Sequence, residues 1–134
     1  MAIKINTEKR LFTLETKHTM YQMQADTYGV LRHLWYGAKT GCDMSYLQDY
    51  PDVGFSGNPH DAGNDRTYSL DTLPLEYAGA GIGDFRVPAV EAVHADGSCA
   101  LDLRYYSYTA KQGKYAIAGL PALYAGEDEA ETLL

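Results

Sequence analysis

Residues able to do chemistry are plentiful in this chain but are rarely spaced to act together. The four histidines, His18, His33, His60 and His94, show neither HxH nor HExxH spacing, so no metal centre is expected. Asp61-Ala-Gly-Asn-Asp65 is acidic enough for a calcium loop but lacks the alternating ligand positions and the closing Glu. The spacing predicts a turn held by Asx side chains instead. Gly79-Ala-Gly-Ile-Gly83 could cradle phosphate only between a strand and a helix amino terminus. Pro88 stands where such a helix would need a backbone donor, so a flexible loop without a nucleotide cofactor is expected. There is no GxSxG, and Cys42 and Cys99 lie in no catalytic signature. Their spacing leaves a disulfide open, although two buried or idle thiols of a cytoplasmic protein fit better. Glycosidase chemistry needs two carboxyl groups, about 5 Å apart for retention, and spacing along the chain places no such pair.

The elements that must position these groups read as β structure. Lys9–Glu15, Met20–Ala25 and Val30–Tyr36 form three strand-like runs. A turn over residues 24–29, carrying Asp26 and Gly29, separates the second from the third, and together they predict an antiparallel meander. From about Gly37 to Gly83 the pattern breaks. This stretch holds three of the five prolines and eight of the thirteen glycines, with frequent Asn and Asp, and only Thr67–Leu70 resembles a strand. Loops of that length in a compact domain are usually functional or disordered. Tyr46, Leu47, Tyr50 and Phe55 argue for a packed one. Beyond it, Ala89–His94 and Cys99–Thr109 flank Asp96-Gly97, a strong hairpin signal. Tyr115–Ala118 reads as a further strand, and another begins near Glu131. No helical period is sustained. The expected fold class is all-β, an antiparallel β-sandwich with one long structured loop, and the final apolar residues look like a strand cut short.

Composition narrows the partners. The 134 residues fit one domain, and 18 acidic against 11 basic residues give a net charge of −7. Such a surface repels nucleic acid. No apolar run approaches the ~20 residues of a membrane-spanning helix, and the first ten residues lack a signal peptide's apolar stretch. Twelve tyrosines against three phenylalanines and one tryptophan suit half-buried sheet faces and contact with something polar.

One string is distinctive: Ser69-Leu-Asp-Thr-Leu-Pro-Leu-Glu-Tyr77, followed by Gly83-Asp-Phe-Arg-Val-Pro-Ala89. It closely resembles the amino-terminal domain of bacterial α-galactosidases of glycoside hydrolase family thirty-six. His33-Leu-Trp-Tyr-Gly37, Phe55-Ser-Gly-Asn-Pro59, Asp65-Arg-Thr-Tyr-Ser-Leu70, Asp102-Leu-Arg-Tyr105, Gly119-Leu-Pro-Ala122 and Glu127-Asp-Glu-Ala-Glu-Thr-Leu133 match in order.

The resemblance implies an amino-terminal β-supersandwich that precedes a (β/α)₈ barrel carrying two catalytic aspartates and a carboxy-terminal β domain. Residues 1–134 would then be a truncated sandwich domain, inactive alone. Its parent would hydrolyse terminal α-linked galactose from oligosaccharides with retention, as a cytoplasmic homo-oligomer, tetrameric in the family. The resemblance also implies a loop reaching a neighbouring subunit's sugar site, with Asp52 and Arg66 as substrate-binding residues. A carboxylate accepts hydrogen bonds from sugar hydroxyls, and a guanidinium can hold that carboxylate in place. Gly57 departs from the proline common after Phe-Ser in the family. Asp71, Glu76, Asp84 and Arg86 are expected to brace the loop. A free-standing carbohydrate-binding or scaffolding module is the alternative.

Overall fold

A computed structural model describes residues 2–48, 60–122, 124–126 and 129–134. The chain opens with four antiparallel strands, β1 (Ala2–Asn6), β2 (Leu11–Glu15), β3 (Thr19–Ala25) and β4 (Leu31–Ala38), paired in sequence order. Three of them are the expected meander. β1 adds a fourth, because Ile3 and Ile5 alternate with polar residues and pair opposite Leu14 and Phe12. Two short 3-10 turns, Ser45–Gln48 and His60–Ala62, follow, and β5 (Ala110–Gln112) pairs with β6 (Glu131–Leu133). The described residues contain no α-helix, and no helix is long and apolar enough to cross a membrane.

The expected all-β class holds, and several expected strands do not. Thr67–Leu70 is irregular, with turns at Thr67 and Leu70. Its Tyr68, Ser69 and Leu70 are buried because they plug the core, an apolar run that a strand shares only by coincidence. At Asp96-Gly97 the chain does turn, with Gly97 at φ 83° and His94 N–H donating to Ser98 at 2.9 Å. The flanking Ala89–His94 and Cys99–Thr109 nonetheless form no ladder. Residues 99–109 run extended alongside other segments: Leu101 N–H donates to Ala80, Tyr105 N–H to Gly29 and Thr109 N–H to Leu134. Tyr115–Ala118 is irregular as well. Cys42 and Cys99 are free and exposed.

The two sheet faces are covered differently. Leu11, Met20 and Leu34 pack with Met44 and Trp35 on one face. Buried Gln22 fastens the covering segment there, accepting from Met44 N–H at 3.0 Å and donating to the Cys42 carbonyl at 3.0 Å. On the other face Phe12 meets the rings of Tyr105 and Tyr108 at 5.8 and 5.3 Å. Pairing shifts by one residue at Leu34, since Gln22 faces Trp35 while Met23 faces His33. Such a bulge re-aims the side chains beyond it.

Glu15 is buried at the end of β2 with Lys39 and Lys4 on its two oxygens, at 2.6 and 2.9 Å. The hydrogen bonds from Lys39 and Lys4 hold its carboxyl below the ordinary value of 4.5. A group depressed in the folded state contributes stability that is complete above its unfolded value and lost as pH falls through the folded one. Stability followed from neutral pH downward should therefore fall below about pH 4.5 through this group. Glu15→Gln should show a flatter acid limb in urea titrations at successive pH values.

Candidate functional site

The loop expected to carry function is described from residue 60 onward, so Arg66 is placed and Asp52 lies outside the described residues. The chain makes a 3-10 turn over His60–Ala62 and passes through Gly63 at φ 57°, a left-handed backbone that suits glycine. Asp65 then caps the next turn. Its Oδ1 accepts from Thr67 Oγ1 at 2.6 Å and from Thr67 N–H at 3.0 Å, bonds that hold its carboxyl below the usual 3.8. Arg66 is exposed on this turn. The predicted Asx turn is thus present, and among the described residues no group of three or more His, Cys, Asp or Glu could hold a metal ion.

What mounts the turn is a buried polar hub. Asp26, at the end of β3, accepts through Oδ1 from Tyr28 and Val30 N–H, both at 2.9 Å. Its Oδ2 accepts from the Tyr68 hydroxyl at 2.5 Å and pairs with Arg32 Nη2 at 3.1 Å. The Arg32 guanidinium lies over the Tyr68 ring, 5.7 Å from its centroid, and Tyr28 meets that ring edge-on at 4.8 Å. Burial, followed by the bond to Asp26, pushes the Tyr68 hydroxyl above its ordinary value of 10, so it stays a donor. Below the hub Val30, Ala62, Leu70 and Leu73 form an apolar cluster. Arg104 ties in a distant segment, donating to the Tyr28 carbonyl at 2.9 Å, approaching Asp61 at 3.6 Å and gripping Asp102 through Nε and Nη2. An open cleft of about 250 Å³ adjoins the turn, with Tyr28, Arg32, Asp65, Thr67, Tyr68 and Leu73 among its lining residues. A guanidinium carried on such a rigid base can present fixed donors to a carboxylate or to ligand hydroxyls.

Of the four residues expected to brace the loop, Asp84, Arg86 and Glu76 tie separate segments together, whereas Asp71 is bonded to Ser69 two residues away. Arg86 donates through Nε and Nη2 to buried Asp84, each at 2.9 Å, and through Nη2 to the Leu70 carbonyl at 2.7 Å. The Arg86 side-chain bonds hold the Asp84 carboxyl below the usual 3.8. Ser69 Oγ donates to Asp71 at 3.2 Å, and Glu76 receives bonds from Tyr21 and His33. The glycine run is a packed crossing rather than a flexible loop. Gly79 lies against the Leu101 carbonyl, and Gly81, at φ 79°, lies against Ala100. Sequence reasoning missed Asp26 and Arg32 as the hub. The signal available was an Asp beginning a turn that closes on Gly29, read only for the turn.

Over residues 29–134 the chain matches the family described as glycosyl hydrolase family 36 N-terminal domain. It is 53% identical over 133 residues to the bifunctional alpha-galactosidase/sucrose kinase AgaSK of Mediterraneibacter gnavus, covering 99% of this chain and 14% of that protein. The alpha-galactosidase Mel36A of Lactobacillus acidophilus is 41% identical, over 98% of this chain and 18% of its own length. Among solved structures, the galactosidase domain of AgaSK superposes with a TM-score of 0.94 at 52% identity, over 98% of this chain and 18% of that one. A variant of the alpha-galactosidase AgaA of Geobacillus stearothermophilus in complex with raffinose superposes at 0.82 with 40% identity, over 92% and 17%. The chain thus spans between 14% and 18% of the length of these curated relatives.

Proposed function

The chain belongs to the glycosyl hydrolase family 36 N-terminal domain family, and from that premise we propose that it is the non-catalytic β domain of a retaining α-galactosidase. The parent hydrolyses terminal α-linked galactose from oligosaccharides, with its two catalytic aspartates in a barrel outside residues 1–134. This domain helps assemble subunits, as a cytoplasmic homo-oligomer of the tetrameric kind, and its long loop reaches a neighbour's sugar site through Asp52 and Arg66. The observation that carries the reading is the rigid mounting of Arg66. An exposed turn anchored through Tyr68 to a buried Asp26–Arg32 pair is costly to build for a loop without a task, and it falls within a chain matched by α-galactosidases along almost its whole length.

Kinetics in the parent enzyme test this. Asp52→Ala should lower kcat/KM on raffinose by about tenfold, the loss of one hydrogen-bonded charge, with the melting temperature unchanged. Residues 1–134 alone should not turn over p-nitrophenyl α-galactoside. Unchanged kinetics in Asp52→Ala would remove Asp52 from the site, and turnover by the isolated chain would overturn the assignment as non-catalytic.

A further inference from the structure

The segment that follows the glycine crossing is fastened at several points. Asp84 is buried, and the Arg86 side chain reaches back to it and to the Leu70 carbonyl. Ala89 N–H donates to the Ala78 carbonyl at 2.9 Å, and Val90 makes an isolated parallel bridge with Gly79. At the far end His94 N–H donates to the Ser98 carbonyl, and its Nε2 lies 2.9 Å from the Ala100 carbonyl. Residues 84–94 are thus held at both ends and in the middle.

This fixed strip turns apolar side chains to the outside. From Val87 to Val93 each odd-numbered residue is exposed and each even-numbered one is half-buried. Such alternation normally sends polar residues to water, yet Glu91 is the only polar member of the exposed set. Phe85 and Val87 flank Arg86, whose side chain is drawn inward by its bonds, and are left projecting. Phe85, Val87 and Val93 are 85%, 92% and 76% exposed. Apolar groups held outward on fastened backbone form a surface organised for contact before any partner arrives.

We propose that the strip from Phe85 to Val93 packs against an apolar face of the catalytic part of the parent polypeptide. The inference rests on the function proposed above and adds to it a contact that seats the domain. The chain spans 14% and 18% of the two curated relatives compared above, so the greater part of a protein of that kind lies outside residues 1–134. Arg86 also links the strip to Leu70, the residue that closes the Arg66–Leu70 run. Strip and turn are therefore mounted on one segment, and docking the strip fixes where the turn is presented. A second copy of the chain fits the strip less well. It would bring together two chains of net charge −7, across a surface whose only charged residue from Val87 to Val93 is acidic.

Hydrogen exchange read by mass spectrometry, in the parent enzyme and in residues 1–134, tests this. Peptides spanning residues 85–93 should exchange at least about tenfold more slowly in the parent. Phe85→Ser combined with Val87→Ser should return them, within the parent, to the rate of the shorter chain. Both side chains are exposed in residues 1–134, so the pair of substitutions removes little packing inside the domain. Peptides from β1 to β4 should keep their rates and report an intact sheet. Equal exchange of 85–93 in the two proteins would overturn the proposal, as would protection that survives the double substitution. Slow exchange in the shorter chain that quickens on dilution would overturn it too, by showing a second copy as the partner. Exchange reads contact without turnover, so its failure leaves the kinetic test of Asp52 intact. Unchanged kinetics in Asp52→Ala would in turn leave the protection of the strip as measured.

Discussion

Asp26→Ala is expected to cost about 3–5 kcal/mol, the usual penalty for removing one partner of a buried ion pair. The loss has several parts that arrive together. Arg32 keeps its charge in a half-buried place without its counter-ion, the Tyr68 hydroxyl loses its acceptor, and the Tyr28 and Val30 N–H groups lose theirs. A domain of this size has about 5–15 kcal/mol in total, so one substitution removes a large share. Urea denaturation should show a midpoint lowered well beyond that of Tyr68→Phe, which removes a single hydroxyl and should cost about 1–2 kcal/mol. If the two variants unfolded at similar urea concentrations, the hub would be reduced to one hydrogen bond. The functional effect should follow the structural one, because the turn bearing Arg66 reaches the sheet through Tyr68.

Gly79→Ala is the second large effect, expected at about 3 kcal/mol, the upper part of the range for overpacking. A methyl group there would sit 2.2 Å from the Leu101 carbonyl oxygen. That atom is backbone and cannot swing aside, and Leu101 N–H donates to Ala80 at 2.9 Å in the same crossing. Relief therefore requires the 79–82 and 99–101 segments to part. Gly97→Ala makes the comparison: its added methyl meets nothing within 4 Å, although φ there is +83°, so only the left-handed backbone is penalised, by about 1 kcal/mol. Thermal unfolding of the two variants side by side should rank Gly79→Ala as clearly the less stable. Equal melting temperatures would mean that the crossing is not tightly packed.

The meander was legible because its period-two pattern and its turn residues agree: Asp26 and Gly29 sit where the ladder reverses. β1 escaped because five residues with two isoleucines give too short an alternation to stand out before it is paired. In the opposite direction, Cys99–Thr109 alternates well yet forms no ladder and makes only isolated backbone bonds, since alternation shows which side chains share a face and says nothing about where a neighbouring strand lies. At the candidate site, the resemblance singled out Arg66 and the turn residues predicted its local form. The hub beneath it was illegible, because Asp26 and Tyr68 lie 42 residues apart and no local pattern announces a contact of that range. Glu76 was read as a brace, which it is. Its hold on His33 depends on an edge contact that only the folded chain creates.

The sequential pairing of β1 to β4 also sets an order of events as the polypeptide leaves the ribosome. The pairing of these four strands with one another is made entirely within residues 2–38, so their registration can be complete while the rest is still being synthesised. The Asp26–Arg32 pair then waits for Tyr68, and the Tyr28 carbonyl waits for Arg104, 76 residues downstream. Until those arrive, the sheet is a template whose charged corner stays wet. Its drying, when the 60–73 segment docks, is the step that turns a local hairpin array into a domain.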